Sequence, residues 1–89
     1  MNDTDLLRFA DDCPWAVARL RRRYERPLRA YLLAKLGSRL LANSCFYLTF
    51  WLLPQVCGEI RGESVGEFLL LVADTAICDF HLLSARLAA

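Results

Sequence analysis

Residues 64–86 read SVGEFLLLVADTAICDFHLLSAR and predict a long helix. Ser64 followed three residues later by Glu67 is a capping-box signature, in which the serine hydroxyl accepts a hydrogen bond from a free backbone amide of the first turn. Beyond Gly66 the stretch contains no glycine or proline, which leaves room for about six turns. We take this helix as the element on which the rest of the chain packs.

The predicted helix carries apolar side chains on more than one side. At 100° per residue, one side collects the residues expected to face the core, namely Val65, Phe68, Leu69, Val72, Ala76 and Leu83. The outer side mixes polar and apolar residues, namely Glu67, Leu70, Leu71, Asp74, Cys78, His81 and Leu82. A helix that only covered a small core would be charged on its outer side, so this one predicts a second contact surface.

The amino-acid composition also indicates a surface that needs covering. The chain has 89 residues, which suits a single domain over residues 1–89, and 56% of them are hydrophobic. A chain of this size buries only about 60–65% of the surface that its unfolded form exposes. The apolar surplus must therefore face a second copy, another protein or a lipid. The net charge of +1 neither favours nor excludes a nucleic acid.

The cysteine pattern favours a reducing compartment. Cys13, Cys45, Cys57 and Cys78 stand at wide spacings with no C-x-x-C pair, so neither a disulfide framework nor a cysteine metal site is predicted. We expect these thiols to act as small buried hydrophobes. The first residues, MNDTDLLRFADD, lack the basic region and apolar run of a secretory signal, and this favours a cytoplasmic protein.

Residues 14–36 predict an amphipathic helix. Asp12 is expected to cap it, Pro14 suits its first turn, Pro27 bends it and Gly37 stops it. Its core side carries Val17, Leu20, Tyr24, Leu28 and Tyr31. The opposite side forms an arginine face, consisting of Arg19, Arg22, Arg23, Arg26 and Arg29. These arginines are either simply solvated or form the contact for a nucleic acid or an acidic partner.

Residues 38–53 predict a second helix, capped by Ser38 and ended by Pro54. Residues 40–58 contain no charge, and such a stretch approaches the length of a membrane span. Asn43, Ser44 and Gln55 interrupt it, which favours a buried or partner-covered helix and leaves a membrane as the alternative. With a short helical turn at residues 4–10, a loop at 54–63 and no strand alternation, the predicted fold is an all-α bundle of three main helices.

Two segments resemble a known family. Residues 20–38, LRRRYERPLRAYLLAKLGS, are similar to the opening of region 2 in bacterial sigma factors of the extracytoplasmic-function group, of the type L-Y-R-R-Y-x-P-R-L-R-R-Y-L-x-R-R-L-G-D. Residues 60–80, IRGESVGEFLLLVADTAICDF, resemble that family's F-R-G-E-S-F-R-A-W-L-L-R-I-A-R-N-L-A-I-D-Y. The identical positions of this second segment include Arg61, Gly62, Glu63, Ser64, Ala73 and Asp79. The resemblance covers residues 17–86 and implies a bundle like sigma region 2.

The departures fall on the positions that the resemblance would make functional. Where the family has A-E-D-L-V-Q-E-T-F, expected to dock on the clamp of core RNA polymerase, residues 42–50 read ANSCFYLTF and keep no carboxylate. On the third helix Leu71, Asp74 and Thr75 stand where the family has groups expected to meet promoter DNA, and residues 81–84 replace its basic tail. An aspartate repels phosphate where an arginine attracts it, so DNA binding is expected to be lost or weakened.

Few residues suggest chemistry. Asp74, Cys78 and His81 share one side of the third helix, but with no second cluster they do not close a tetrahedral metal site. Cys78 and His81 also lack a third group to orient a nucleophile and its base. We therefore predict no metal, no cofactor, no catalytic residue and no enzyme. Asp79 projects toward the core side and is expected to form a structural ion pair.

The apolar surplus on the second and third helices is the main functional signal. The expected partner-binding residues are Phe46, Tyr47, Trp51, Leu52, Leu70, Leu71 and Leu82. They favour a sigma-like adaptor or regulatory protein that binds a protein partner or forms a homo-oligomer. One alternative is a divergent initiation factor that touches RNA polymerase and DNA through the arginine face. The others are a small membrane-associated protein and a bundle whose helices cover one another completely.

Overall fold

The computed structural model describes the backbone of residues 2–88 and the side chains of residues 2–82 and 87. Within that range the chain contains helices and no strand, which confirms the all-α prediction. The helices are α1 (Asp3–Arg8), α2 (Pro14–Leu36), α3 (Arg39–Val56) and α4 (Val65–Ala88). A 3₁₀ turn, Cys57–Glu59, follows α3 directly.

Helix α3 is the central element, because it packs against both α2 and α4. It runs antiparallel to both neighbours, since Leu33 of α2 lies beside Ala42, while Val56 of α3 lies beside Phe68. Helix α1 closes the bundle against α2. The fully buried side chains come from all four helices, and the largest are Leu6, Leu20, Leu28, Leu32, Phe46, Leu53 and Leu69.

The helix boundaries follow the cap and breaker residues. Gly37 adopts a left-handed conformation with φ of 67° and its amide donates to the Leu33 carbonyl, which ends α2 as predicted. The Ser38 hydroxyl accepts from the Leu41 amide at 3.3 Å and begins α3. The Ser64 hydroxyl accepts from the Glu67 amide at 3.2 Å, so the predicted cap of α4 is confirmed.

Two boundaries differ from the prediction at proline residues. Cys13 and not Asp12 is the N-cap of α2, since the residue before Pro14 is forced into an extended conformation and so becomes the last one outside the helix. Helix α3 continues through Pro54 to Val56 and does not end at Leu53. Pro54 lies in the last turn, where its missing amide removes a single hydrogen bond, and buried Leu53 holds that turn on the core.

The core side of α4 is largely as predicted. Val65, Phe68, Leu69, Val72 and Ala76 are all buried, whereas Leu83 lies outside the described side chains. Asp79 is exposed, so the expectation of a core-facing ion pair is wrong. Periodicity puts Asp79 on the buried side of the helix, but the last buried side chain described on α4 is Ala76. At position 79 that side of the helix is no longer covered, and the carboxylate stays in water.

The Asp3 carboxylate ties α1 to α2. It accepts hydrogen bonds from the Tyr24 hydroxyl and from the Arg23 guanidinium, with which it forms an ion pair. These contacts, the tyrosine first, lower the pKa of Asp3 from its ordinary value of 3.8. Burial, and then the bond to Asp3, raises the pKa of Tyr24 to about 12. The link holds the first helix against the second at its polar edge.

We expect Asp3→Asn to lower the free energy of unfolding by about 1 kcal/mol near neutral pH, because a partly exposed charged acceptor is lost. The folded-state pKa of Asp3 is depressed, so its contribution is fully present above pH 3.8 and is lost as the pH falls through the folded pKa. Urea unfolding of the wild type and of Asp3→Asn at a series of pH values measures this effect, and the two free energies of unfolding should converge as the pH falls. Asp12→Asn, at an exposed position, is the matched control, and an equal loss from both variants would contradict the link.

Candidate interaction surface

The outer side of α3 is exposed and carries no charge. We define the α3 stripe as Leu40, Ser44, Tyr47 and Trp51, which lie at i, i+4, i+7 and i+11 along one side of the helix. Leu40 is 75% exposed, Tyr47 51% and Trp51 67%. The opposite side of α3 is buried in the core, so the stripe points away from the rest of the molecule. The prediction placed Tyr47 and Trp51 on such a surface but did not include Leu40.

A second, largely apolar surface lies between α3 and α4. Leu52 and Val56 of α3 line a groove with α4 residues that include Leu71, and Glu59 of the 3₁₀ turn also lines it. Leu71 is exposed on the rim of this groove, while Leu52 is half-buried in its wall. Because Leu52 lies only about 100° around α3 from Trp51, the uncharged surface extends from the α3 stripe toward α4.

The predicted partner-binding residues do not form one patch. Phe46 is fully buried, so its assignment to the exposed surface is wrong. The physical reason is that α3 is covered by two neighbours, and the arc that they cover includes Phe46. Leu70 lies on another side of the bundle, in a groove between α2 and α4 beside Tyr24 and Pro27. Leu82 is exposed on α4 beyond the last buried turn.

The arginine face divides into solvated and packed side chains. Arg19, Arg22 and Arg26 are exposed, and the Arg19 guanidinium lies 5.6 Å from the ring centre of Trp15. Arg23 is engaged with Asp3 on α1. Arg29 packs across α3, with its guanidinium 4.1 Å from the ring centre of Phe46. The exposed basic surface of α2 is therefore smaller than the five predicted arginines suggest.

Arg29 forms a bridge between α2 and α3 that the sequence interpretation missed. Its Nη1 donates to the Asn43 Oδ1 at 2.8 Å, and its Nε lies 3.6 Å from the Glu25 carboxylate. The same guanidinium lies 5.7 Å from the Tyr47 ring centre. The Tyr47 ring meets Phe46 edge to face at 5.4 Å. Arg29 therefore covers buried Phe46 and supports one member of the α3 stripe.

Tyr31 and Asp74 form a second missed link, this one between α2 and α4. The Tyr31 hydroxyl donates to Asp74 Oδ1 at 2.6 Å. This hydrogen bond, followed by burial, raises the pKa of Tyr31. Asp74 therefore has a structural role at the edge of the bundle. The signal was available in the sequence, since Tyr31 lies on the core side of α2 with a hydroxyl that needs an acceptor.

The residues considered for metal binding and nucleophilic chemistry are dispersed. Cys78 and His81 are exposed on α4, while Asp74 faces Tyr31. Among the side chains that the structure describes, no three His, Cys, Asp or Glu residues are grouped to hold a metal ion. Burial raises the pKa of the Cys45 thiol, and burial is also the main cause of the raised pKa of Cys57. Both thiols are therefore less nucleophilic than a solvated cysteine.

The described chain is an all-α helical bundle whose central helix presents an uncharged outer side. No protein-family model, curated protein or solved structure matches it. By length and composition, one segment of the described residues, Arg39–Glu59, is apolar enough to cross a membrane, with a mean hydropathy of 1.3. A third of that segment is buried inside the bundle. The core helices of bundles can have the same length and composition, so this segment alone does not define a membrane span.

We expect Arg29→Ala to lower the free energy of unfolding by about 1 kcal/mol, because it uncovers Phe46 and removes the donor to Asn43. Arg29→Lys should recover only part of the loss, since an ammonium group cannot stack and donate in the same geometry. Urea denaturation followed by circular dichroism measures both effects. Arg22→Ala removes an exposed arginine of the same helix and should stay within about 0.5 kcal/mol of the wild type. Equal effects at both positions would show that Arg29 is only a solvated charge.

Proposed function

We propose that this chain is a protein-docking module that engages a partner through the α3 stripe and the adjoining groove with α4. The observation that carries this proposal is the exposure of Tyr47 and Trp51 on a helix side without a charged residue. Large aromatic side chains are enriched at the centres of protein interfaces, where charged residues are depleted. A solvated outer side of a helix is normally polar, so α3 has the composition of a surface that becomes covered.

The energetics support a contact of useful strength. With side chains of about 200 Å² each, the exposed parts of Leu40, Tyr47 and Trp51 amount to roughly 400 Å². Burying that area corresponds to a gross gain of about 10 kcal/mol at 25 cal/mol per Å². Association costs several kcal/mol in lost freedom, so the stripe supplies the centre of an interface and the neighbouring groove residues supply its margin.

The resemblance to sigma factor region 2 gives the proposal a second line of support. In the family segment A-E-D-L-V-Q-E-T-F, the charged and amide positions align with Asn43, Ser44, Tyr47 and Leu48, and the first three of these are exposed here. The apolar positions align with buried residues, and the retained Ala42, Thr49 and Phe50 are buried as well. This pattern fits a sigma-like scaffold that keeps its core and carries an uncharged docking surface in place of an ionic one.

We expect photo-cross-linking in the source cell to identify the docking surface. Tyr47 or Leu71 is replaced by a photoreactive phenylalanine derivative, and Arg22 on the arginine face is the matched exposed control. Irradiation should give discrete protein adducts from positions 47 and 71 and none from position 22. Adducts with lipid alone would favour the membrane alternative, and adducts from position 22 alone would move the contact to α2. Either result would contradict the proposal.

A divergent transcription initiation factor is the second candidate, and the exposure of Arg19, Arg22 and Arg26 on one side of α2 favours it. Such a factor would be retained on core RNA polymerase through a basic surface. The combined change Arg22→Glu and Arg26→Glu should then reduce retention at least tenfold at moderate salt. Under the docking proposal the wild-type chain is not retained on core polymerase, or is retained equally with and without these changes. Measuring how much of the wild-type chain and of the double variant binds to immobilised polymerase distinguishes the two functions.

A further inference from the structure

We infer that the partner of the α3 stripe is a second copy of this chain, which packs α3 against α3 in antiparallel orientation about a twofold axis. This inference rests on the proposed function, since it names the protein that a docking surface on α3 binds. It commits to a single arrangement in which Leu40 lies opposite Trp51 of the second copy. Ser44 then lies opposite Tyr47 of that copy, and the axis passes between positions 45 and 46.

The spacing of the stripe is that of a helix-pairing seam. Positions 40, 44, 47 and 51 follow one another at intervals of four, three and four residues, which is the alternation of a and d positions in a coiled coil. At 1.5 Å per residue these positions extend over about 16 Å of helix. The seam is therefore long enough for one to two heptads of contact. It is also straight, because the four positions lie within about 60° of one another around the helix.

The sizes of the side chains favour the antiparallel arrangement. Ser44 is small and lies three residues before the bulky Tyr47, so that antiparallel packing places a small side chain against a ring at two symmetric places. A parallel pair would set Trp51 against Trp51 and Ser44 against Ser44, with overpacking at one level and a void at another. Only the antiparallel pair sets Ser44 against a large side chain and avoids placing Trp51 against Trp51. A twofold interface of this kind uses the same surface on both copies.

The charges around the seam also select a second copy. Asn43 and Pro54 flank the stripe on one side, and Leu48 and Gln55 flank it on the other. None of these residues is charged. The guanidinium of Arg29, which lies beside Tyr47, donates to Asn43 and is paired with Glu25, so the two identical surfaces meet without an unpaired charge in the seam itself.

The area of the surface corresponds to a weak dimer. The three large side chains of the stripe supply roughly 400 Å² per copy, or about 800 Å² over the two copies, and the flanking residues add to this area at the margin. Stable specific interfaces begin at about 1,200 Å² in total, so the proposed dimer belongs with the weak, transient contacts. We therefore expect dissociation at high micromolar concentrations or above, with the monomer folded by its own core.

The test uses the purified full chain in light-scattering and sedimentation experiments over a range of concentrations. We expect twice the chain mass at high concentration, and at least a tenfold weaker dimer for Leu40→Lys and for Trp51→Glu separately. The double variant places the introduced opposite charges against each other at both ends of the antiparallel seam, so it should regain most of the affinity. Leu87→Lys, at an exposed leucine of α4, is the control that leaves the dimer intact, and circular dichroism verifies that all variants are folded.

A second readout reports on the interface directly. Trp15→Phe leaves Trp51 as the sole tryptophan, and its emission should shift to the blue as the concentration rises and the seam closes. A chain that stays monomeric at high concentration, or a double variant no better than either single one, overturns the antiparallel dimer. If position 47 then still cross-links to another protein in cells, the docking function stands with a different partner. If it cross-links to no protein, both proposals fail.

Discussion

The structure depends on the burial of one side of α3 between two neighbouring helices. Cys45, Phe46, Thr49 and Leu53 are fully enclosed, and Phe50 nearly so. The only polar member is satisfied within the helix, since the Thr49 hydroxyl donates to the Cys45 carbonyl at 2.7 Å. Because α2 and α4 both pack on this side, the orientation of α3 is fixed. Its remaining side must point outward, whatever residues it carries.

Polar links at the edge of the bundle set the position of the other helices around α3. Two tyrosines of α2 each give a hydroxyl to a carboxylate, Tyr24 to Asp3 on α1 and Tyr31 to Asp74 on α4. Gly66 on α4 belongs to the same arrangement, since a Cβ there would lie 3.3 Å from the Tyr24 ring. These contacts fix the relative orientation of the helices more than they add to the free energy of folding. They hold α1 and α4 in place on α2 and leave the α3 stripe without a cover.

Much of the fold could be predicted from the sequence, because caps and periodicity are local signals. Ser38, Gly37 and Ser64 mark helix ends by chemistry that acts within a few residues. Periodicity shows which residues share a side, but it does not show how wide an arc the neighbours cover or where the bundle ends. Phe46 was predicted to be exposed, but the neighbouring helices cover a wider arc of α3 than periodicity shows. Asp79 was predicted to face the core, but it lies where the bundle no longer covers α4. Arg29 was misplaced because a long side chain can extend over a neighbouring helix and cover an aromatic ring there.

The chemistry of the stripe bears on what covers it. A helix side that contacts lipid gains nothing from polar groups, yet Ser44, Asn43 and Gln55 lie within or beside the stripe at exposed positions. In a protein interface such groups cost little, because a small residue makes room for a ring and amides at the margin stay in contact with water. The buried side of α3 already packs against α2 and α4. The helix therefore cannot expose all of its sides to a bilayer unless the core opens. A protein partner that covers the stripe leaves that core intact.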